Sequence, residues 1–366
     1  MVKYRVLLLM PELFFGGAET QFRYLIEKID KDCFELYVLV EHSNNRNNDL
    51  NTEKYVRDNV KVQFEFLNNL TTEGTSVARY ASYLRANIII NHYIKKYNPQ
   101  IVVVYSRIGL KLLNTVSRYK IPSLYSERNV WNNPSRFWRE NRFFLNKCSK
   151  IVCNSIDAQK LFKSHNIDAE YIPNGIEIAD VLDNVISDYY RIVVPARITP
   201  IKNQRIVIEA LKYMTTLNLK ICFIGVIEDK TYYDELIKLC KCINVSEIVE
   251  FKEFTTRVED IYREADLIIL PSFVEGLSNV ILESYMYGRL VLLSNISQNI
   301  NVGSEKQMYF NPKNPKDLAD KIEILKNMKK KEIDILTGIN RDFVIANYDI
   351  KYMVNLYEKI LKAMIN

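Results

Sequence analysis

Residues 268–283 read Ile268-Ile269-Leu270-Pro271-Ser272-Phe273-Val274-Glu275-Gly276-Leu277-Ser278-Asn279-Val280-Ile281-Leu282-Glu283. The aliphatic run closing on Pro271 and Ser272 reads as the end of a buried strand, and residues 273–283 read as a loop running into a helix. Gly276 permits close backbone approach, and Ser278 or Asn279 can cap the helix. The amides from Gly276 through Leu277, Ser278 and Asn279 to Val280 then form a cradle for an anion. Glu283 lies one turn after Asn279 on the same helix face, where a carboxylate can accept two hydrogen bonds from a vicinal diol. Glu275 sits in the loop, nearer to any group beyond the anion. A capped helix with an exposed Glu accounts for one acid but not for a cradle flanked by two.

The same strand, loop and helix rhythm runs outward in both directions. Strands are expected at 4–9, 34–40 and near 61–67, 101–105, 121–126, 150–153 and 169–172, with helices near 17–29, 76–97, 107–118, 135–147 and 155–164. This alternation is the signature of a parallel α/β sheet. The stretch Pro173 to Asp188, with Pro-Asn-Gly and four scattered acids, breaks the rhythm and is assigned as a linker. Strands then restart at 191–194, 219–224, 248–251, 267–270 and 289–293, and after Pro315 the pattern is purely helical. The result is two Rossmann-like halves, with a last helix whose Met353, Leu356, Tyr357, Ile360 and Leu361 form an apolar face.

A doubly wound sheet binds ligands beyond the carboxyl ends of its strands, which singles out two more loops. After the first strand, Gly16-Gly17 opens a helix and lets main-chain amides approach an anion, although a plain tight turn has the same sequence. It is not the Gly-x-Gly-x-x-Gly of a dinucleotide oxidoreductase. After the restarted strand, Arg197 and Lys202 in Arg197-Ile198-Thr199-Pro200-Ile201-Lys202-Asn203 offer a fork-shaped cation and a point cation that can share one diphosphate, or else form solvated surface.

Composition excludes several classes. The chain has 366 residues, 48% hydrophobic and 26% charged, with 10 Gly and 10 Pro. That is enough to bury a sizeable core, and it excludes disorder, collagen and low complexity. No apolar run approaches the ~20 residues that span a bilayer, and Met1 to Met10 has neither the length nor the small-residue site of a leader. The expectation is a cytoplasmic protein, free or peripheral to the inner face of the plasma membrane. Six scattered cysteines read as reduced thiols, and no metal site is expected from them or from the three histidines. The net charge of +6 conceals a local +12 over residues 74–156, where 14 Lys and Arg face only Glu127 and Glu140. An anionic partner is expected there, an anionic membrane surface among the candidates, with Trp131, Phe137 and Trp138 at headgroup level beside Arg136 and Arg139.

Taken together these pieces resemble the retaining glycosyltransferases of family 4, built on the GT-B fold, of bacterial surface-polysaccharide type. The resemblance is carried by Gly-Gly-Ala-Glu at 16–19, Pro-Asn-Gly-Ile-Glu at 173–177, Arg197 with Lys202-Asn203, and Ala265-Asp266-Leu267-Ile268 leading into Pro271-Ser272-x-x-Glu275-Gly276. Glu275 and Glu283, seven residues intervening, followed by Tyr287-Gly288, complete it. The pieces stand in family order across nearly the whole chain.

The resemblance implies two facing Rossmann-like domains with an interdomain cleft: an acceptor-binding domain at 1–180, a nucleotide-sugar-binding domain at 189–345, and a helix at 346–366 packing back toward the first. It implies that Glu283 binds ribose, that Glu275 lies near the donor sugar, and that Arg197 and Lys202 neutralise the leaving diphosphate. Gly16 and Gly17 would approach the sugar and phosphates. Where many members place a His, this chain has Glu127-Arg128-Asn129. Either Glu127 or Arg128 would face the sugar, with Arg128, Asn129, Arg136 and Arg139 on the acceptor side. The expected reaction moves a hexose or N-acetylhexosamine from a nucleotide-sugar donor, UDP-linked, to a saccharide or lipid-linked acceptor without cofactor or metal. The alternatives are a nucleotide-sugar epimerase or hydrolase of similar fold, or a non-catalytic basic binding module; nucleic acid is not the expected partner.

Overall fold

The computed structural model describes residues 3–10, 16–40, 63–66, 76–105, 107–128, 134–183, 185, 187–215, 218–253, 255 and 257–365. The chain divides into two units, Met1–Gly175 with Ile350–Asn366, and Ile176–Asp349. The chain leaves the first unit at Gly175 and returns at Ile350, so residues 176–188, expected as linker, belong to the second unit. They are held there by arginines. Arg341 donates to the Ala179 carbonyl, Arg289 to Leu182 and Arg191 to Val185.

The first unit carries β1 (Tyr4–Met10), β2 (Phe34–Val40), β3 (Gln63–Phe66), β4 (Ile101–Val104), β5 (Ser123–Glu127), β6 (Lys150–Cys153) and β7 (Glu170–Tyr171). They form one sheet in the order β3-β2-β1-β4-β5-β6-β7, and every pairing is parallel. Because successive side chains point to opposite faces, runs such as Val6 to Met10 and Ile101 to Val104 are apolar throughout only if both faces are covered. Val6, Leu8, Val38, Ile101 and Val103 pack under the helices Gly17–Lys28 and Ile350–Ile365. Leu7, Leu9, Val102, Val104 and Ile151 pack under Ser76–Tyr97, Arg107–Arg118 and Pro134–Leu145. The last helix of the chain therefore belongs to the core of the first unit, burying Met353, Val354, Tyr357, Ile360 and Leu361.

The second unit repeats the plan with β8 (Tyr190–Pro195), β9 (Leu219–Ile224), β10 (Val249–Lys252), β11 (Leu267–Leu270), β12 (Leu290–Ser294) and β13 (Met308–Phe310). Their order is β10-β9-β8-β11-β12-β13, again all parallel. Strand β13 has no counterpart among the expected elements, since three residues between polar neighbours carry no period. The direction of winding reverses between β8 and β11, which makes the loops after those two strands the place where a ligand has room.

Candidate active site

The loop after β8 turns through a short 3-10 segment, Pro200–Lys202, and then through Asn203, whose φ of 53° is left-handed. Asn tolerates that region better than most residues because its side chain can bond locally. Here the amide reaches further. Asn203 Nδ2 donates to the carbonyls of Pro271 at 3.1 Å and Pro312 at 2.9 Å, tying the loop after β8 to those after β11 and β13. The Phe273 amide donates to the Ile201 carbonyl at 2.9 Å, a second stitch between the same loops.

These stitches bring Lys202 onto Glu275. The ammonium meets Oε1 at 2.6 Å and Oε2 at 2.8 Å, and the two side chains are only 17% and 7% exposed. Ser272 Oγ donates to Glu275 Oε1 at 2.5 Å, and the Ser272 carbonyl accepts from Ser294 Oγ at 2.7 Å. The carboxylate is thus held from several sides in a poorly solvated place, where a fixed charge interacts more strongly than in water. Arg197 is different. Its guanidinium is 59% exposed and pairs with Glu228 at 2.8 Å, while its carbonyl accepts from Gln204. A Cβ on Gly225 would lie 2.2 Å from the Ala196 carbonyl oxygen, so the chain beside Arg197 needs a glycine at that point.

The helix Asn279–Met286 begins where the sequence placed it, with Ser278 in the N-cap position. Ser278 makes no side-chain cap hydrogen bond there. Gly276, Ser278 and Asn279 are half-buried and Leu277 is buried. One turn on, the half-buried Glu283 accepts a hydrogen bond from Tyr262 Oη at 2.6 Å. Burial of the carboxyl pushes its pKa up to about 7, against a smaller lowering by the Tyr262 bond. Tyr262, Ser272, Asn203 and Gly225 were not assigned site positions by the sequence; of these, only Asn203, between Lys202 and a helix, carried a local signal.

In the first unit, Gly16 occupies the N-cap position of Gly17–Lys28 in extended backbone with no side-chain cap. At the end of β5 the structure corrects the sequence reading. Arg128 is 6% exposed and spends its donors inside the unit, with Nη1 on Asn174 Oδ1 at 2.8 Å, Nε on Ser126 Oγ at 3.1 Å and Nη2 on the Tyr357 hydroxyl. It anchors the last helix and presents nothing to an acceptor. Glu127 is buried as well and accepts from Tyr125 Oη at 2.8 Å. Both side chains are buried against partners within the first unit. Asn129 and Trp131 lie outside the described residues. Arg136 and Arg139 are exposed, Arg136 paired with Glu140 at 2.8 Å. Phe137 and Trp138 are buried in the core, which overturns their expected place at a membrane surface.

No helix among the described residues is long and apolar enough to cross a membrane. The family model described as Glycosyltransferase Family 4 matches residues 15–180, and that of Glycosyl transferases group 1 matches residues 183–335. An O-antigen biosynthesis glycosyltransferase, WclY of Escherichia coli, is 25% identical over 320 residues, 82% of this chain and 88% of its own. The capsular polysaccharide biosynthesis glycosyltransferase CapH of Staphylococcus aureus is 27% identical over half of each chain. In fold, the chain is similar to HepE of Anabaena, solved with UDP and glucose, with a TM-score of 0.81 at 15% identity over 98% of this chain and 100% of that one. A glycosyltransferase from Rickettsia africae also gives 0.81, at 18% identity and full coverage of both. With the two family models abutting across most of its length and a GT-B fold beneath them, the chain is a glycosyltransferase, belonging to family 4 through its first unit and to group 1 through its second.

Proposed function

We propose that this enzyme transfers a hexose or N-acetylhexosamine, with retention, from a UDP-linked donor to a saccharide or lipid-linked acceptor during assembly of a surface polysaccharide at the cytoplasmic side of the membrane. The donor belongs to the second unit and the acceptor to the first. The observation that carries the reading is the clamped Lys202–Glu275 pair at the winding reversal, with Glu283 on the helix that comes after it. The names of WclY, CapH and HepE support the polymer and the nucleotide.

In this reading the bond from the anomeric carbon to the diphosphate oxygen breaks, and the acceptor hydroxyl oxygen takes its place on the same face while its proton passes to the departing diphosphate. Negative charge grows on the departing diphosphate. Lys202, Arg197 and the amides from Gly276 to Asn279 stabilise it, a fixed arrangement that needs no reorganisation when the charge appears. Glu283 accepts from the ribose hydroxyls, and Glu275 stands by the sugar.

A donor panel tests the proposal, scoring release of UDP or GDP by the purified protein from each nucleotide sugar, with and without membrane extract. The expected result is UDP release that depends on extract and survives EDTA. Release without any acceptor would favour the hydrolase alternative, and metal-reversible loss in EDTA would remove the metal-free reading. By calorimetry, Glu283→Ala is expected to weaken UDP binding by about 1.5 to 3 kcal/mol, the range for hydrogen bonds to a charged group.

A further inference from the structure

The three helices over one face of the first sheet share an outer surface that the donor chemistry leaves unused. Ser76–Tyr97, Arg107–Arg118 and Pro134–Leu145 each return between parallel strands, so they run side by side in one direction over the same core. Two contacts fix the register of the first pair. Thr115 bonds Asn87, and Tyr119 Oη donates to Asn91 Oδ1 at 2.9 Å. For the second pair, Lys111 lies close enough to Glu140 to help Arg136 lower its carboxyl pKa.

Two exposed apolar side chains stand on the helices to either side of the middle one: Ile88, one residue after the Asn87 that bonds Thr115, and Phe143, three residues after Glu140. Ile88 is 70% exposed and Phe143 58%. Cations surround them. Lys95, Arg118 and Lys147 lie toward the C-terminal ends of the helices, and Arg85, Lys111 and Arg139 toward the N-terminal ends, all exposed. Among the described side chains of these three helices, Glu140 is the one exposed acid.

We propose that this face docks the enzyme onto an anionic lipid bilayer, with Ile88 and Phe143 entering the headgroup region and the surrounding cations meeting lipid phosphates. Charge complementarity selects an anionic surface. The two apolar tips at the centre of the cations select a bilayer over a soluble polyanion, which has no apolar layer to receive them. The assignment is independent of which sugar the second unit handles. It also replaces the residues suggested by the sequence, since Phe143 points out of the same helix that buries Phe137 and Trp138.

The experiment is co-sedimentation of the full chain with phosphatidylcholine vesicles, with and without phosphatidylglycerol, at low and high salt. The wild type is expected to bind only the anionic vesicles and to release as salt shortens the Debye length below about 10 Å. The triple variant Lys95→Glu, Arg118→Glu, Lys147→Glu should bind at least roughly 100-fold more weakly, at about a factor of five per cation. Ile88→Ser with Phe143→Ser should bind roughly tenfold more weakly, from lost apolar burial. Both variants should keep the wild-type unfolding midpoint, since the altered side chains are exposed. Failure of the wild type to bind anionic vesicles, equal binding to neutral ones, or wild-type binding by the charge-reversed variant would overturn the proposal. Undiminished binding by the serine variant would also overturn it, in favour of a soluble polyanion.

Discussion

Two strand ends in this molecule are followed by a cation, and the two cations meet opposite surroundings. After β8, Lys202 is held against Glu275 at the mouth of a sheet, and Arg197 beside it remains open to water. After β5, Arg128 is buried and gives three donors to neutral oxygens of Ser126, Asn174 and Tyr357. Position in a doubly wound fold therefore nominates a residue for ligand contact but does not assign it. What decides is where the other elements send their oxygens. In the second unit they leave Lys202 with a carboxylate, which under the proposed function a donor diphosphate would compete with. In the first they take the guanidinium into the core to fasten the last helix.

The contrast between the two strand ends is most exposed to test at Lys202. Lys202→Ala should lower the rate of UDP release at saturating donor by roughly 10² to 10³, the usual loss for one preorganised group that acts on developing charge. An unchanged rate would leave the two strand ends functionally alike. The open Arg197 provides an internal scale, and Arg197→Ala should show a smaller loss if its partner Glu228 already satisfies it.

Next in size is the effect expected at the other strand end, and it should appear in stability. Arg128→Ala removes three buried hydrogen bonds, to Asn174, Ser126 and Tyr357, which costs about 2 to 3 kcal/mol. Denaturant unfolding should show that loss, while the protein that remains folded keeps its affinity for UDP. Loss of UDP affinity at unchanged stability would return Arg128 to the site and undo its assignment as an anchor of the last helix.

Much of this fold was legible because both faces of each sheet are covered, so strands such as Leu267–Leu270 read as unbroken aliphatic runs between helical periods. The cradle segment and the Lys202 loop were legible as well, because glycine, proline and charge cluster there within a few residues. Long-range partners were not. Tyr357 stands 229 residues from Arg128, and Tyr262 stands 21 residues before Glu283 on another element. No spacing rule connects such pairs. Phe143 was readable in principle. Phe137, Trp138, Asn141 and Leu145 mark the inner face of their helix, and Phe143 lies off it.

A smaller effect bears on the role of the loops themselves. Asn203 combines a left-handed φ with an amide that bridges two carbonyls, and two substitutions separate these contributions. Asn203→Gly keeps the backbone conformation and removes the bridge, at about 1 to 2 kcal/mol of stability for two buried bonds. Asn203→Ala adds roughly a further 1 kcal/mol of backbone strain. If the bridge positions Lys202, the glycine variant should lower turnover more than it raises KM for donor. Equal stability for the two variants would show that the φ carries no strain.

The smallest expected effect concerns protons on Glu283. Its carboxyl pKa stands near 7, raised from an ordinary value of 4.5 by burial. Between those values the folded protein holds a proton that the unfolded chain has lost. This group therefore costs stability as pH rises from about 4.5, and the loss is complete above about 7. Donor binding should run the other way, because ribose hydroxyls donate to the ionised carboxylate. From pH 6 to pH 8 the ionised fraction rises about tenfold, and affinity for a UDP-sugar should rise by nearly that factor. A UDP-sugar is the right probe because its diphosphate is esterified at both ends and does not titrate there. Glu283→Gln should flatten the profile. Tyr262→Phe removes the hydrogen bond that lowers this pKa, so it should move the inflection to higher pH. A profile that is flat in the wild type, or one that Tyr262→Phe leaves in place, would separate Glu283 from the ribose and leave the second unit with its cations but without its diol acceptor.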